Sequence, residues 1–101
     1  MIGGGAGVDP RTGELAGTEI AAQTRQILKN MSVLLDSVAS DLQHVFHMNV
    51  FLLHLSDFDE MNRVCAECMA THRPARTVVG VNELPKPGVL LTMNLTAAVR
   101  K

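Results

Sequence analysis

The sequence contains no tryptophan and no tyrosine, and only 3% of its 101 residues are aromatic. Any hydrophobic core must therefore be built from aliphatic side chains and from the six methionines. The hydrophobic content of 47% is enough for such a core, and the length predicts one domain over residues 1–101. A domain of this size buries a modest share of its surface, so oligomerisation would stabilise it.

An excess of charge of either sign is also missing. The formal net charge is −1, so no basic surface is predicted and counterion release would add little to nucleic-acid binding. No apolar run approaches the roughly 18 residues that a membrane span needs, and no signal-peptide pattern precedes the domain. We therefore expect a cytoplasmic protein without a nucleic-acid or membrane partner.

Cysteine is scarce, with Cys65 and Cys68 three residues apart in a segment that has a helical pattern. Residues at this spacing share one helix face, whereas redox CxxC pairs lie at a helix start near a βαβ unit. A structural zinc site needs four ligands, and Cys65, Cys68 and His72 supply three at most. We predict reduced, half-buried structural thiols and no metal, with redox or metal chemistry as the alternative.

Periodicity and turn signals predict the element order β, α, β, α, β, β. Residues 1–8 are a short Gly-rich strand, and the Asp-Pro and Gly of DPRTG predict a turn. Thr18 is the expected N-cap of a first helix that ends near Ala39. Its polar side includes Gln23, and its buried stripe follows helical spacing at Ile20, Ile27, Leu28, Met31, Leu34, Leu35 and Val38.

The second half of the chain also contains predicted strands and a helix. Residues 44–55 carry apolar side chains on both faces of a predicted strand. Ser56 is the expected cap of a second helix that stops before Pro74, and residues 76–82 and 89–99 are the last two strands. Two amphipathic helices with an apolar sheet indicate an α+β two-layer sandwich with the helices on one face.

Two polar residues on these strands need an explanation. Arg76 opens the β-branched run of the third strand, and a guanidinium keeps its charge there because its pKa lies above about 12. Arg76 must therefore reach water or meet an anion. His47 shares a strand face with Asn49, and a surface histidine or one with satisfied hydrogen bonds is the simpler interpretation.

Four segments, GVDPRTGEL, AAQTRQILKNM, VFLLHLSDFDEMN and PARTVVGVNELPK, follow one another in a familiar order. In this order and spacing they resemble the reactive intermediate deaminase family (RidA or YjgF-like proteins), also labelled endoribonuclease L-PSP or translation inhibitor. The resemblance extends from about Gly4 to Val99. It implies a chorismate-mutase-like fold, with a mixed β-sheet and two helices on one face. It also implies a homotrimer with clefts between neighbouring subunits.

The resemblance implies hydrolysis of 2-imino acids, such as 2-iminopropanoate and 2-iminobutanoate, to 2-keto acids and ammonia without a cofactor or metal. Arg76 matches the family arginine that binds the substrate carboxylate, for which a guanidinium offers two parallel N–H donors. Asn62 matches an asparagine that shapes the cleft. Val78 lies where the family uses backbone groups to contact the ligand.

Several positions depart from the family pattern. Members usually carry some twenty more N-terminal residues, with a strand and a ligand-flanking tyrosine, and their Ser-Gly-Gln is here Gly3, Gly4 and Gly5. Thr92 stands where the family has a glutamate, with Asn94 two residues further on.

Threonine cannot serve as a general base near neutral pH, and such help is worth roughly 10² to 10⁴ in rate. We therefore expect weak or altered deaminase activity that uses Arg76 and Thr92. The alternative is a non-catalytic trimer that binds a small 2-keto acid or a similar carboxylate. Ribonuclease activity, which the older family label suggests, has no support in the charge balance.

Overall fold

The structure is a computed structural model that describes residues 2–70 and 72–98. The backbone forms the predicted order of elements, with two short 3₁₀ helices at Leu42–His44 and Leu55–Asp57. The strands and α-helices are β1 (Ile2–Gly5), α1 (Ile20–Ser37), β2 (Val45–Leu52), α2 (Phe58–Met69), β3 (Ala75–Gly80) and β4 (Leu91–Ala97).

The four strands form one mixed sheet in the order β1-β4-β2-β3. β2 and β3 are parallel and are joined through α2, as a parallel pair requires a crossover connection. β4 pairs antiparallel with both β1 and β2. The predicted α+β two-layer fold is confirmed, because the buried stripes of both helices join one core with the sheet.

The core lies between the helices and one face of the sheet. Met48 and Val50 of β2 pair with Leu95 and Met93 of β4, and all four side chains are buried. Among the described residues, five methionines are buried, which agrees with the expectation of an aliphatic and Met-rich interior. These are Met31, Met48, Met61, Met69 and Met93.

The other face of the sheet carries mainly polar side chains and is not covered by the helices, although Phe51 of β2 adds an apolar side chain to it, as predicted. The burial of β2 alternates after Phe46, because successive side chains of a strand point to opposite faces. An irregular register between Val45 and His47 accompanies the change. The second face displays His47, Asn49 and Phe51 of β2, Thr77 and Val79 of β3, and Thr92, Asn94 and Thr96 of β4.

Both predicted helix caps are wrong. α1 has Glu19 rather than Thr18 at its N-cap, and α2 has Asp57 rather than Ser56, in each case without a side-chain cap hydrogen bond. Ser56 cannot cap α2, because it lies inside the 3₁₀ turn that leads into that helix.

The buried side of α1 also differs from the prediction. Leu34 and Val38 are 44% and 46% exposed, because they lie to one side of the stripe that contacts the sheet. Gln23, predicted to be on the polar side, is fully buried. Its amide donates to the carbonyls of Gly17 and Gly88, and its oxygen accepts from the Leu90 N–H.

The elements are shorter than predicted at several ends. α1 ends at Ser37 and α2 at Met69, and each is followed closely by an alanine with positive φ, Ala39 at 57° and Ala70 at 55°. The predicted end of the last strand, Val99, lies outside the described residues. Within the described part of the chain, no helix combines the length and apolar character that crossing a membrane requires.

Candidate functional site

Arg76 lies on β3, at one edge of the sheet, and its side chain faces the helices. It pairs with the buried Met48 of β2, and directly paired strand residues share a face. A cavity of about 500 Å³ opens between this edge and α2, and both Arg76 and Asn62 line it. Two of the predicted site residues are therefore brought together.

The guanidinium of Arg76 is half-buried and has no carboxylate beside it. Its Cζ lies 5.6 Å from the ring centroid of Phe58, a cation–π distance, and the side chain is close enough to the Cys65 thiol to act on its pKa. Among residues 2–70 and 72–98, no acidic side chain forms an ion pair with it. The positive charge is therefore available to an anion that enters the cavity.

The floor of the cavity is apolar and rich in sulfur. Met48, Cys65 and Met69 line it and are at most 5% exposed. Burial raises the pKa of the Cys65 thiol to about 11, although the nearby Arg76 acts in the opposite direction. Cys65 is therefore a neutral thiol at physiological pH.

The two cysteines are free thiols within α2, as predicted. Cys68 is half-buried, and burial raises its pKa as well. Within residues 2–70 and 72–98, no three His, Cys, Asp or Glu side chains are grouped so that they could hold a metal ion.

The rim of the cavity is polar and carries further positive charge. His72 Nε2 lies 2.6 Å from the Val45 carbonyl oxygen, so this nitrogen donates. The Arg73 guanidinium donates to the carbonyl oxygens of Ala70 and His72 and is fixed across the end of α2. No carboxylate is among the described residues that line the cavity. Sequence analysis considered His72 only as a metal ligand and missed Arg73, although the two residues lie just before the segment PARTVVGVNELPK.

Thr92 and Asn94 lie elsewhere, on the face of the sheet that the helices leave open. They line a second cavity of about 430 Å³ together with Gly5 and Lys86. Thr92 pairs with Phe51, two side chains of the open face, whereas Arg76 lies on the helix face. Val78 shares the face of Arg76 and packs against the core. Within a single chain, Thr92 therefore lies apart from Arg76, Asn62 and Val78.

A row of hydrogen-bonded side chains, the polar row, crosses the open face from β3 to β4. Thr77 Oγ1 lies 3.4 Å from His47 Nε2, which lies 3.2 Å from Asn49 Oδ1. Asn49 Nδ2 in turn donates to Asn94 Oδ1 at 2.7 Å. His47 therefore makes hydrogen bonds through Nε2, in agreement with the simpler interpretation. The alternating pattern of β2 predicts that His47 and Asn49 share a face. Their link to Asn94 could be found only from the register between the strands.

Comparison with known proteins extends these observations. The endoribonuclease L-PSP family profile matches residues 1–99. A RutC family protein of Pyrococcus horikoshii is 40% identical over 86 residues, which are 85% of this chain and 68% of that protein. The human 2-iminobutanoate/2-iminopropanoate deaminase is 33% identical over 85 residues, which are 84% of this chain and 62% of that protein.

The fold matches solved structures equally well. The crystal structure of RidA from an Antarctic Psychrobacter superposes with a TM-score of 0.87 at 33% identity, covering 93% of this chain and 75% of that one. Because the family profile spans nearly all of the sequence, and relatives above 30% identity cover most of it, the chain belongs to the endoribonuclease L-PSP family, which includes the RutC and RidA proteins.

Proposed function

We propose that this protein hydrolyses reactive 2-imino acids to 2-keto acids and ammonia, with Arg76 binding the substrate carboxylate. The observation that carries the proposal is a half-buried arginine without a carboxylate partner, in a cavity that Asn62 also lines. The name of the human relative, 2-iminobutanoate/2-iminopropanoate deaminase, supports the choice of substrate at 33% identity.

The reaction makes modest demands on the protein. A water oxygen adds to C2 of the imine, the C–N bond breaks, and ammonia leaves with the protons that the water supplied. The guanidinium of Arg76 would hold the carboxylate by two parallel N–H donors, and the contact is stronger in a cavity shielded from water. Fixing the carboxylate fixes C2, and correct positioning of reactants alone removes a large part of such a barrier.

We further propose that the active assembly is a homotrimer. Arg76 and Thr92 face opposite sides of one sheet, so a site that uses both must take them from two copies of the chain. A small domain with one sheet face uncovered by its helices would gain stability from burying that face. Light scattering tests the assembly, since it separates the mass of a trimer from that of a 10.9 kDa monomer.

A second candidate function is binding of a 2-keto acid without turnover. Among residues 2–70 and 72–98, no carboxylate lines either the cavity beside Arg76 or the one beside Thr92. A carboxylate that could act as general base is therefore missing from both groups of described lining residues, which favours this candidate. Binding would use Arg76 in the same way, so the two candidates differ in catalysis alone.

An imine-hydrolysis assay separates the two functions. An amino-acid oxidase generates 2-iminopropanoate in the presence of semicarbazide, and the trapped semicarbazone is followed by absorbance. We expect the wild-type protein to reduce trapping and Arg76→Ala to have no effect on it. If neither protein reduces trapping but calorimetry detects pyruvate binding to the wild type alone, the protein is a carboxylate-binding module.

A further inference from the structure

The polar row fixes the direction of the hydrogen bonds along it. His47 Nε2 lies 3.2 Å from Asn49 Oδ1, and an amide oxygen only accepts, so Nε2 carries the hydrogen and donates it. The other branch of the same amide, Asn49 Nδ2, donates to Asn94 Oδ1 at 2.7 Å. The oxygen of Asn94 is therefore engaged within the row, and its Nδ2 hydrogens remain for another partner.

Those hydrogens lie beside the second cavity. Asn94 lines this cavity together with Thr92, and within the described part of the chain the Asn94 Nδ2 group has no hydrogen-bond acceptor. The two ends of a carboxamide are nearly alike in shape, so an amide without the row could turn either its oxygen or its nitrogen to the cavity. Donation from His47 at the start of the row therefore makes Asn94 a donor at the cavity.

We propose that His47 is a positioning residue, which through Asn49 holds the amide of Asn94 so that its N–H donates to the nitrogen on C2 of the substrate. The inference rests on the proposed function and on the proposed homotrimer, in which this cavity of one copy completes the Arg76 site of another. Thr92 and Asn94 share the open face of β4, and residues two apart on a strand are roughly 7 Å apart. That separation leaves room for the imine group at Asn94 and for the attacking water at Thr92.

A donor in this place assists the addition of water. The lone pair of a neutral imine nitrogen accepts a hydrogen bond, which draws electron density away from C2. As the water oxygen bonds to C2, the electron pair of the C=N double bond moves onto the nitrogen, where the N–H of Asn94 meets the growing negative charge. A preorganised donor at the atom on which charge develops stabilises the transition state. Asn94 keeps its own proton, because the nitrogen is protonated by the water.

A purely structural role for the row is the rival interpretation. A row of hydrogen bonds also satisfies polar side chains on a sheet face that an assembly would bury. In that role His47 and Asn94 would each contribute to stability, and neither would act on the substrate through the other. The row, however, ends at a side chain that lines a cavity, and it leaves a donor there.

A double-mutant cycle separates the two roles. The quantity measured is kcat/KM for 2-iminopropanoate in the semicarbazide assay. We expect His47→Ala and Asn94→Ala each to lower it by about fivefold or more, the usual contribution of one hydrogen bond. In the Asn94→Ala background, His47→Ala should cause no further loss, because the group through which His47 acts is already absent.

Two further variants test the hydrogen bond itself. His47→Gln should recover most of the activity, since its side-chain amide supplies an N–H donor in place of Nε2. Thr77→Val is the matched control, because it removes the neighbour at 3.4 Å from His47 Nε2 but leaves the donation to Asn49. Light scattering checks that each variant has the mass of the wild-type assembly. If His47→Ala dissociates, His47→Leu takes its place, because leucine keeps the bulk of the side chain without the donor.

Additive losses in the double variant overturn the proposal, and so does wild-type activity in a variant without the donor at position 47. If the wild type hydrolyses no imine, the proposed deaminase function fails separately, and the same cycle is run on the Kd of pyruvate. The keto oxygen of pyruvate accepts a hydrogen bond where the imine nitrogen would. Coupled losses of affinity then support the positioning role, whereas additive or absent losses overturn it. If the wild type does not bind pyruvate either, both proposals fail.

Discussion

Arg76 and Thr92 lie on opposite faces of one four-stranded sheet. Arg76 pairs with Met48 on the face that the helices cover, and Thr92 pairs with Phe51 on the open face. Each lines its own cavity, and no described residue lines both cavities. The roles proposed for Arg76 and Thr92 in one reaction therefore need two copies of the chain.

The first prediction concerns the geometry of the anchor. Arg76→Ala should weaken binding of 2-ketobutyrate by about 10- to 100-fold, since a hydrogen bond to a charged group contributes about 1.5–3 kcal/mol. The affinity of Arg76→Lys should fall between those of the wild type and Arg76→Ala, because lysine keeps the charge but lacks the planar guanidinium. Calorimetry measures both, with Arg11→Ala as the control, since Arg11 is exposed and paired with Asp9. Equal affinities for the wild type and Arg76→Ala would contradict the proposal that Arg76 binds the carboxylate.

A second prediction adds a carboxylate beside the open face of the sheet, where the described residues that line the cavity include none. Thr92→Glu should raise the rate of imine hydrolysis by roughly tenfold or more, because a positioned general base contributes about 10² to 10⁴. Thr96→Glu is the matched control, since it places the same carboxylate on the same face of β4 but does not line the cavity. Trapping by semicarbazide gives the rates. Equal gains in the two variants would show that the position of the carboxylate is irrelevant.

The third prediction follows from the buried thiol. The pKa of Cys65 is about 11 in the fold against an ordinary value of 9.0, so the folded state holds this proton more tightly than the unfolded chain. The stabilisation is complete below pH 9 and is lost as the pH rises towards 11, with an upper limit of about 2–3 kcal/mol.

Urea denaturation at pH 8 and pH 10 tests this dependence on the thiol. Cys65→Ala should lose less stability than the wild type between the two pH values, although its stability at pH 8 is lower. Lysine and other groups titrate equally in both proteins, so the difference isolates Cys65. Identical losses in the two proteins would contradict the assignment.

A fourth prediction concerns a close backbone approach between the first loop and α1. A Cβ at Gly7 would collide with the Gln23 carbonyl oxygen and lie 2.8 Å from its Cα, whereas a Cβ at Gly5 would meet nothing within 4 Å. Gly7→Ala should therefore lower the free energy of unfolding by about 1–3 kcal/mol, the usual cost of overpacking. Gly5→Ala should cost clearly less. Chemical denaturation of both variants gives the comparison, and equal stabilities would exclude the collision.

Local patterns predicted much of the architecture. The three- and four-residue spacing of apolar side chains identified both helices, and Pro and Gly marked the loops between strands. The same patterns failed at Gln23, whose partners at Gly88 and Leu90 are distant in sequence. A buried amide is satisfied by whichever loops converge on it, and convergence is a property of the folded chain.

Some features of the candidate site were likewise predictable from the sequence, and others were not. That Arg76 stays charged and needs an anion or water follows from the chemistry of its side chain, and the spacing of Cys65 and Cys68 follows from helix geometry. That Arg76 and Asn62 share a cavity, that Thr92 faces away from them, and that the polar row connects His47 to Asn94 all depend on strand pairing. A shift of one residue in register reverses the face of every side chain on a strand, so only the long-range contacts between strands could decide these positions.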